Sequence, residues 1–235
     1  MKLSRLSPKT QFLLMLLAAT GASLLLFAAD ALHNDSTYFA YLIWNLFLAW
    51  LPLVFSTWLV AVLRRKLWSS WEAIAASLLW LAFLPNSFYM VSDYIHLSEV
   101  SDRDLLYDAV MLTSFIFVAV VLGVSSLYAV HQEVNKRFSP RTSFVWLAGT
   151  LLLCSFAIYL GRDLRWNSWD ILTNPGGLLF DVSDRFMHPG TYPEMFLTTG
   201  IFLLLISMLY GLAWFAVHLV RTWPSARPYR VARLR

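Results

Sequence analysis

Six apolar runs, at about residues 11–29, 38–63, 72–91, 105–130, 142–160 and 195–220, leave this chain few folds to choose from. A bilayer core takes roughly 20 apolar residues in a helix, and a helix satisfies its own backbone hydrogen bonds where no water is present. The expected fold is therefore all-α: a polytopic membrane protein, a bundle of about six transmembrane helices, with residues 1–235 forming a single integral membrane domain. The composition agrees, since 59% hydrophobic and 14% charged residues do not describe a soluble globule.

The charges orient the bundle. Lys2, Arg5, Lys9, Arg64, Arg65, Lys66, Lys136, Arg137, Arg141 and the arginines from Arg221 to Arg235 fall on the side of the termini, and only Arg103, Arg162, Arg165 and Arg185 fall opposite. Translocation of Lys/Arg clusters is disfavoured, so both termini are expected to be cytoplasmic. The first run follows a basic stretch as a signal peptide would, but it is longer than an ordinary signal core and is read as a retained helix. The net charge of +4 is accounted for by these clusters, and no nucleic-acid partner is expected. Cys154 stands alone within an apolar run and reads as a packing residue.

Within this frame the third run is irregular. Trp80 to Leu97, WLAFLPNSFYMVSDYIHL, carries Pro85 where a helix would continue, and the helix is expected to break at Leu84-Pro85-Asn86. Carbonyls near the proline lose partners that lipid cannot replace, and Asn86 is a candidate to serve them. If helix resumes, Asp93 and His96 lie one turn apart on one face. Asn45 and Pro52 interrupt the second run as an expected interhelical hydrogen bonder and a kink, and Ser101 or Asp102 is the expected N-cap of the fourth helix. The connection from Gly161 to Glu194 mixes apolar and charged residues in the manner of short interfacial helices, with a turn at Asn174-Pro175-Gly176-Gly177.

The segments LPNSFYMVSDYIHL at 84–97 and GRDLRWNSWDILTNPGG at 161–177 together resemble a bacterial membrane family catalogued as domain of unknown function 1361. The resemblance implies a multi-spanning protein of a bacterial inner membrane whose signature positions here are Pro85, Asn86, Asp93, His96, Gly161, Arg162, Arg165, Trp166, Asn167, Trp169 and Asp170. It brings no cofactor and no reaction.

Both segments are expected on the extracytoplasmic face, which is otherwise acidic. Arg162 and Arg165, three apart, suit a phosphate or carboxylate, and Trp166 and Trp169 are interface-seeking rings. Asp93 and His96 are the candidate acid/base pair, with Asn86, Asn167 and Asp170 as hydrogen-bonding positioners. That set suits a lipid or lipid-linked anionic substrate, with membrane lipids as the expected partners. The plain alternative is that Arg162 and Arg165 pair with Asp163, Asp170 or Asp93 and only lock the loop. A small-solute transporter and a scaffold docking a partner protein are the other functional readings. No zinc spacing is present and no metal is assigned, although Asp184 and His188 add acceptable ligand types; His188, with His33, His131 and His218, reads as a loop or helix-end residue. No G-x-S-x-G elbow or phosphate-binding glycine loop occurs.

Overall fold

The computed structural model describes residues 6–34, 37–99 and 105–222. Among them the chain is helical, with α1 at Pro8–Asn34, α2 at Tyr41–Leu63, α3 at Trp71–Tyr89, α4 at Leu105–Asn135, α5 at Pro140–Asp163, α6 at Asp170–Thr173, α7 at Pro175–Met187 and α8 at Pro193–Thr222. A 3-10 turn, Tyr38–Ala40, leads into α2, and a longer 3-10 segment, Met90–Glu99, continues α3. Six helices are long and apolar enough to cross a membrane, and the molecule is a multi-pass membrane protein. The N-cap expected at Ser101 or Asp102 lies outside the described residues, as do Lys2, Arg5, Arg103 and the arginines beyond Thr222.

α4 is the centre of the bundle. It packs on α1, α2, α3, α5 and α8, and over half of its apolar window is buried, against 11% for α1 and 17% for α8. One core gathers Leu84 and Phe88 of α3, Leu127 of α4, Cys154 of α5 and Ile206 of α8. The other joins Leu16 of α1, Leu46 of α2 and Phe115 of α4 beneath Met90. The helices touch most closely at Gly123, where a Cβ would stand 2.6 Å from Ser87 Cβ and 2.9 Å from Phe88 Cζ. Only a residue without a side chain lets α3 and α4 approach so far.

The break expected at Leu84-Pro85-Asn86 is displaced. α3 runs through Pro85 to Tyr89 and then tightens into the 3-10 segment at Met90. The span is continuous from Trp71 to Leu97, long enough for one crossing. The carbonyl that Pro85 leaves without its helical donor is Leu81 O, four residues back, and the next two carbonyls are served by side chains. Ser168 Oγ donates to Ala82 O at 3.0 Å, three residues before Pro85, and Asn86 Nδ2 donates to Phe83 O at 3.1 Å. The same device recurs at Pro52 inside α2: Ser87 Oγ donates to Ala49 O at 3.1 Å, again three residues before the proline. Prolines are tolerated in spanning helices when neighbouring hydroxyls supply such bonds.

Two other expectations shift at helix ends. α1 extends past the expected end near residue 29 to Asn34, with Asp30 accepting from Asn34 Nδ2 at 2.8 Å. Asn174-Pro175-Gly176-Gly177 is not a free turn but the cap and first turn of α7. Asn174 Oδ1 accepts from Gly177 N at 3.1 Å, and Pro175 stands where its missing donor costs nothing.

Gly123→Val is expected to destabilise the bundle by about 1–3 kcal/mol through overpacking against Ser87 and Phe88. Thermal unfolding of the detergent-solubilised protein checks this; an unchanged transition would remove the close α3–α4 contact from the account.

Candidate functional site

The two sequence segments meet where the last turns of α3 pass the corner between α5 and α6. α5 ends at Asp163, so Arg162 lies in its last turn, and Arg165 takes the left-handed conformation with φ 60°. That conformation carries Trp166 N back to donate to Leu160 O at 3.1 Å. Helices commonly end this way, but with glycine, because a Cβ is disfavoured there.

The corner is then tied down on three sides. Asn86 Nδ2 donates to Ser168 Oγ at 3.0 Å, and Ser168 in turn caps Ala82 O on α3. Trp166 Nε1 donates to Asp181 Oδ2 of α7 at 2.8 Å, and the Trp169 ring sits 6.4 Å from that of Trp44 on α2. Asp170 Oδ2 accepts from Asn167 N at 2.7 Å, and its Oδ1 from Thr173 Oγ1 at 3.1 Å. The Asn167 backbone donor is the largest of the causes that hold the Asp170 carboxyl below its usual range. Asn167, Asp170, Trp166 and Asn86 are thus engaged in building the corner.

Asp93 and His96 do not bond to each other. Three residues apart in a 3-10 helix they share an edge, but a full turn of about 6 Å separates them along the axis. Buried Asp93 accepts from Asn45 Nδ2 at 3.2 Å, the interhelical role expected of that asparagine. Half-buried His96 faces α2, with Nδ1 3.3 Å from Tyr38 Oη and its ring 5.2 Å from that of Tyr41.

What remains open is cationic. Asp93, Arg162, Asp163 and Arg165 all lie within charge–charge range of the Tyr89 hydroxyl. Yet among the described residues neither arginine makes a hydrogen bond or ion pair, and the Tyr89 hydroxyl has no hydrogen-bond partner. Both guanidinium groups are exposed, and Tyr89 is half-buried beneath them. The ion pairs by which these arginines would only lock the loop, to Asp163, Asp170 or Asp93, are not formed. Two unpaired guanidiniums and a phenol can receive an anion by charge-assisted hydrogen bonds, and a carboxylate held by one amide can take a proton from a bound hydroxyl.

The arginine that does lock this region is one the sequence did not single out. Buried Arg185 of α7 donates through Nε to Tyr159 Oη at 3.0 Å and through Nη1 to Asp181 O at 2.8 Å, and it lies over the Tyr192 ring. Nearby, Tyr192 Oη donates to Asp184 Oδ2 at 2.5 Å, and His188 Nδ1 lies 3.0 Å from Oδ1. Those bonds, Tyr192 first, hold the Asp184 carboxyl below its usual range and raise the Tyr192 phenol. His188 and Asp184 therefore serve the α7–α8 connection. Among the described residues no group of three His, Cys, Asp or Glu side chains gathers in a metal-ligating arrangement. Tyr89 and Ser168 were also missed, because a tyrosine in an apolar run and a loop serine carry no periodic signal.

A family model described as "Protein of unknown function (DUF1361)" matches residues 44–209, which include every residue of the corner. No curated protein and no solved structure matches the chain.

A non-glycine residue in the left-handed region costs roughly 1–2 kcal/mol relative to glycine. Arg165→Gly is therefore expected to hold or raise the unfolding temperature while removing one of the two open cations. An earlier unfolding transition than wild type would instead assign Arg165 to holding the loop.

Proposed function

The chain belongs to the family described as protein of unknown function (DUF1361), and from that premise we propose that the α5–α6 corner binds the anionic headgroup of a lipid or lipid-linked substrate. The observation that carries this reading is the state of Arg162 and Arg165: two exposed cations share the surroundings of Tyr89 with Asp93 and Asp163, and neither forms an ion pair among the described residues. Exposed arginines near carboxylates ordinarily pair. Here the loop is fixed by Asn86, Ser168, Trp166 and Asp170, which leaves the guanidiniums available to a phosphate.

In this reading Arg162 and Arg165 receive the phosphate, the Tyr89 hydroxyl donates a third hydrogen bond, and exposed Trp169 with Trp44 borders the chains of the lipid. Asp93, positioned by Asn45, accepts a proton from a hydroxyl of the bound headgroup, and His96, positioned by Tyr38, is the second titratable group at the rim. The exposed apolar residues of α7, Leu179, Phe180, Phe186 and Met187, give that helix a face that lies in the lipid interface beside the site. The distribution of Lys and Arg supports a site on the extracytoplasmic side with both termini cytoplasmic, which in this reading is the outer face of a bacterial inner membrane.

Native mass spectrometry of the protein titrated with phosphatidylglycerol, with phosphatidylcholine as the control, tests the reading. Each arginine is expected to contribute about tenfold in affinity, as charged hydrogen bonds do. Arg162→Gln/Arg165→Gln should therefore lose about a hundredfold at this site, with a few-fold loss for Tyr89→Phe. Equal retention by wild type and the double variant, both folded, would contradict the proposal.

A further inference from the structure

At the opposite end of the bundle a groove of about 1050 Å3 runs between α5 and α8. Its walls follow helical spacing. Phe144, Ala148 and Leu152 come from α5, and Leu203, Ser207 and Gly211 from α8, each set at intervals of four, so that two single faces oppose one another. α8 is among the least buried of the spanning helices, so the groove opens toward the hydrocarbon.

Most of the polar groups at the foot of the groove are engaged with one another. Ser143 Oγ donates to Asn135 Oδ1 at 2.5 Å, which leaves its oxygen to accept from His131 Nε2 at 3.0 Å. That bond puts the ring proton on Nε2, so Nδ1 accepts from Tyr210 Oη at 2.5 Å. The chain of four side chains across α4, α5 and α8 thus uses the donors of Tyr210, His131 and Ser143 internally, and the Trp146 ring covers the imidazole at 6.1 Å. With those donors engaged and walls that are mostly apolar, the groove favours an aliphatic occupant over a hydrogen-bonding one.

The mouth differs. Arg141 lies in the first turn of α5, next to Pro140 of the groove wall. Arg221 lies in the last turn of α8, on the face of Tyr210 and Trp214, seven residues beyond Trp214. α5 begins and α8 ends at this side, so each wall supplies one exposed cation at the same end, and neither makes a hydrogen bond or ion pair among the described residues. We propose that the α5–α8 groove is a second lipid site, which holds one acyl chain of an anionic phospholipid whose phosphate sits between Arg141 and Arg221. Apolar walls, a largely engaged polar foot and two cations just beyond the lining together match an amphiphile of that charge, and basic sites between spanning helices favour anionic lipids.

The site can be filled without disturbing the core, because a Cβ at Gly211 meets nothing within 4 Å. Native mass spectrometry with phosphatidylglycerol and phosphatidylcholine is run on Gly211→Phe and on Arg141→Gln/Arg221→Gln, beside wild type and Arg162→Gln/Arg165→Gln. Gly211→Phe should lose one retained lipid that the Arg162/Arg165 variant keeps. Arg141→Gln/Arg221→Gln should lose the preference for phosphatidylglycerol at that site by about tenfold or more, with an unchanged unfolding temperature. Wild-type lipid retention in both groove variants overturns the proposal. So does a wild-type dimer that Gly211→Phe dissociates, because a second copy would then fill the groove.

Discussion

A carbonyl that loses its donor inside a bilayer must find another one within the protein, and the prolines of α2 and α3 create that demand at two depths of the same bundle. The carbonyl each ring deprives lies four residues before it, and in both helices a serine is aimed at the next one, three residues before the proline. Ser87 of α3 serves Ala49 of α2, and Ser168 serves Ala82 of α3. The second bond is the more consequential, because Ser168 lies in the connection after α5. Once Ser168 is fixed to α3, with Asn86 donating to its oxygen, the residues just before it cannot drift from the helix end. The positions of Arg162 and Arg165 around Tyr89 follow from the repair of a helix that proline would otherwise open.

This division of labour separates what builds the corner from what it presents. Residues with matched partners, Asn86, Trp166, Asn167, Ser168 and Asp170, carry the geometry, while among the described residues the two arginines and the Tyr89 phenol make no hydrogen bond. The opposite end of the bundle has the reverse arrangement. Its polar groups, from Tyr210 through His131 and Ser143 to Asn135 Oδ1, bond to one another, and its two cations stand just beyond the groove lining. On the readings proposed here, one end addresses a headgroup with its polar groups and the other addresses a chain with its apolar ones.

Much of the fold was legible in the sequence because hydropathy over some twenty residues is a strong signal. The six spans appear close to their expected places, Asn45 does bridge two helices, and Asn86 does serve a carbonyl beside Pro85. Pro85 itself misled: a proline need not end a helix whose neighbouring carbonyls find side-chain donors, and Ser168, the donor to Ala82 O, lies 86 residues from it. No local pattern encodes that partnership. Arg185 was overlooked for a similar reason, since an arginine on a short amphipathic helix reads as solvated until Tyr159 and Asp181 are seen around it. Asp93 and His96 looked like a pair because they are one turn apart in sequence, whereas the 3-10 geometry gives each a different neighbour on α2.

The central claim is that the Asn86–Ser168 stitch across Pro85 holds the arginine corner in its binding arrangement. A double-mutant cycle tests it most directly, with Asn86→Ala, Ser168→Ala and the double variant compared both for unfolding and for phosphatidylglycerol affinity. The account predicts non-additive losses, with a coupling of about 1 kcal/mol in stability, and weakened lipid binding in each variant although both arginines are intact. Additive effects on stability with wild-type affinity throughout would contradict it.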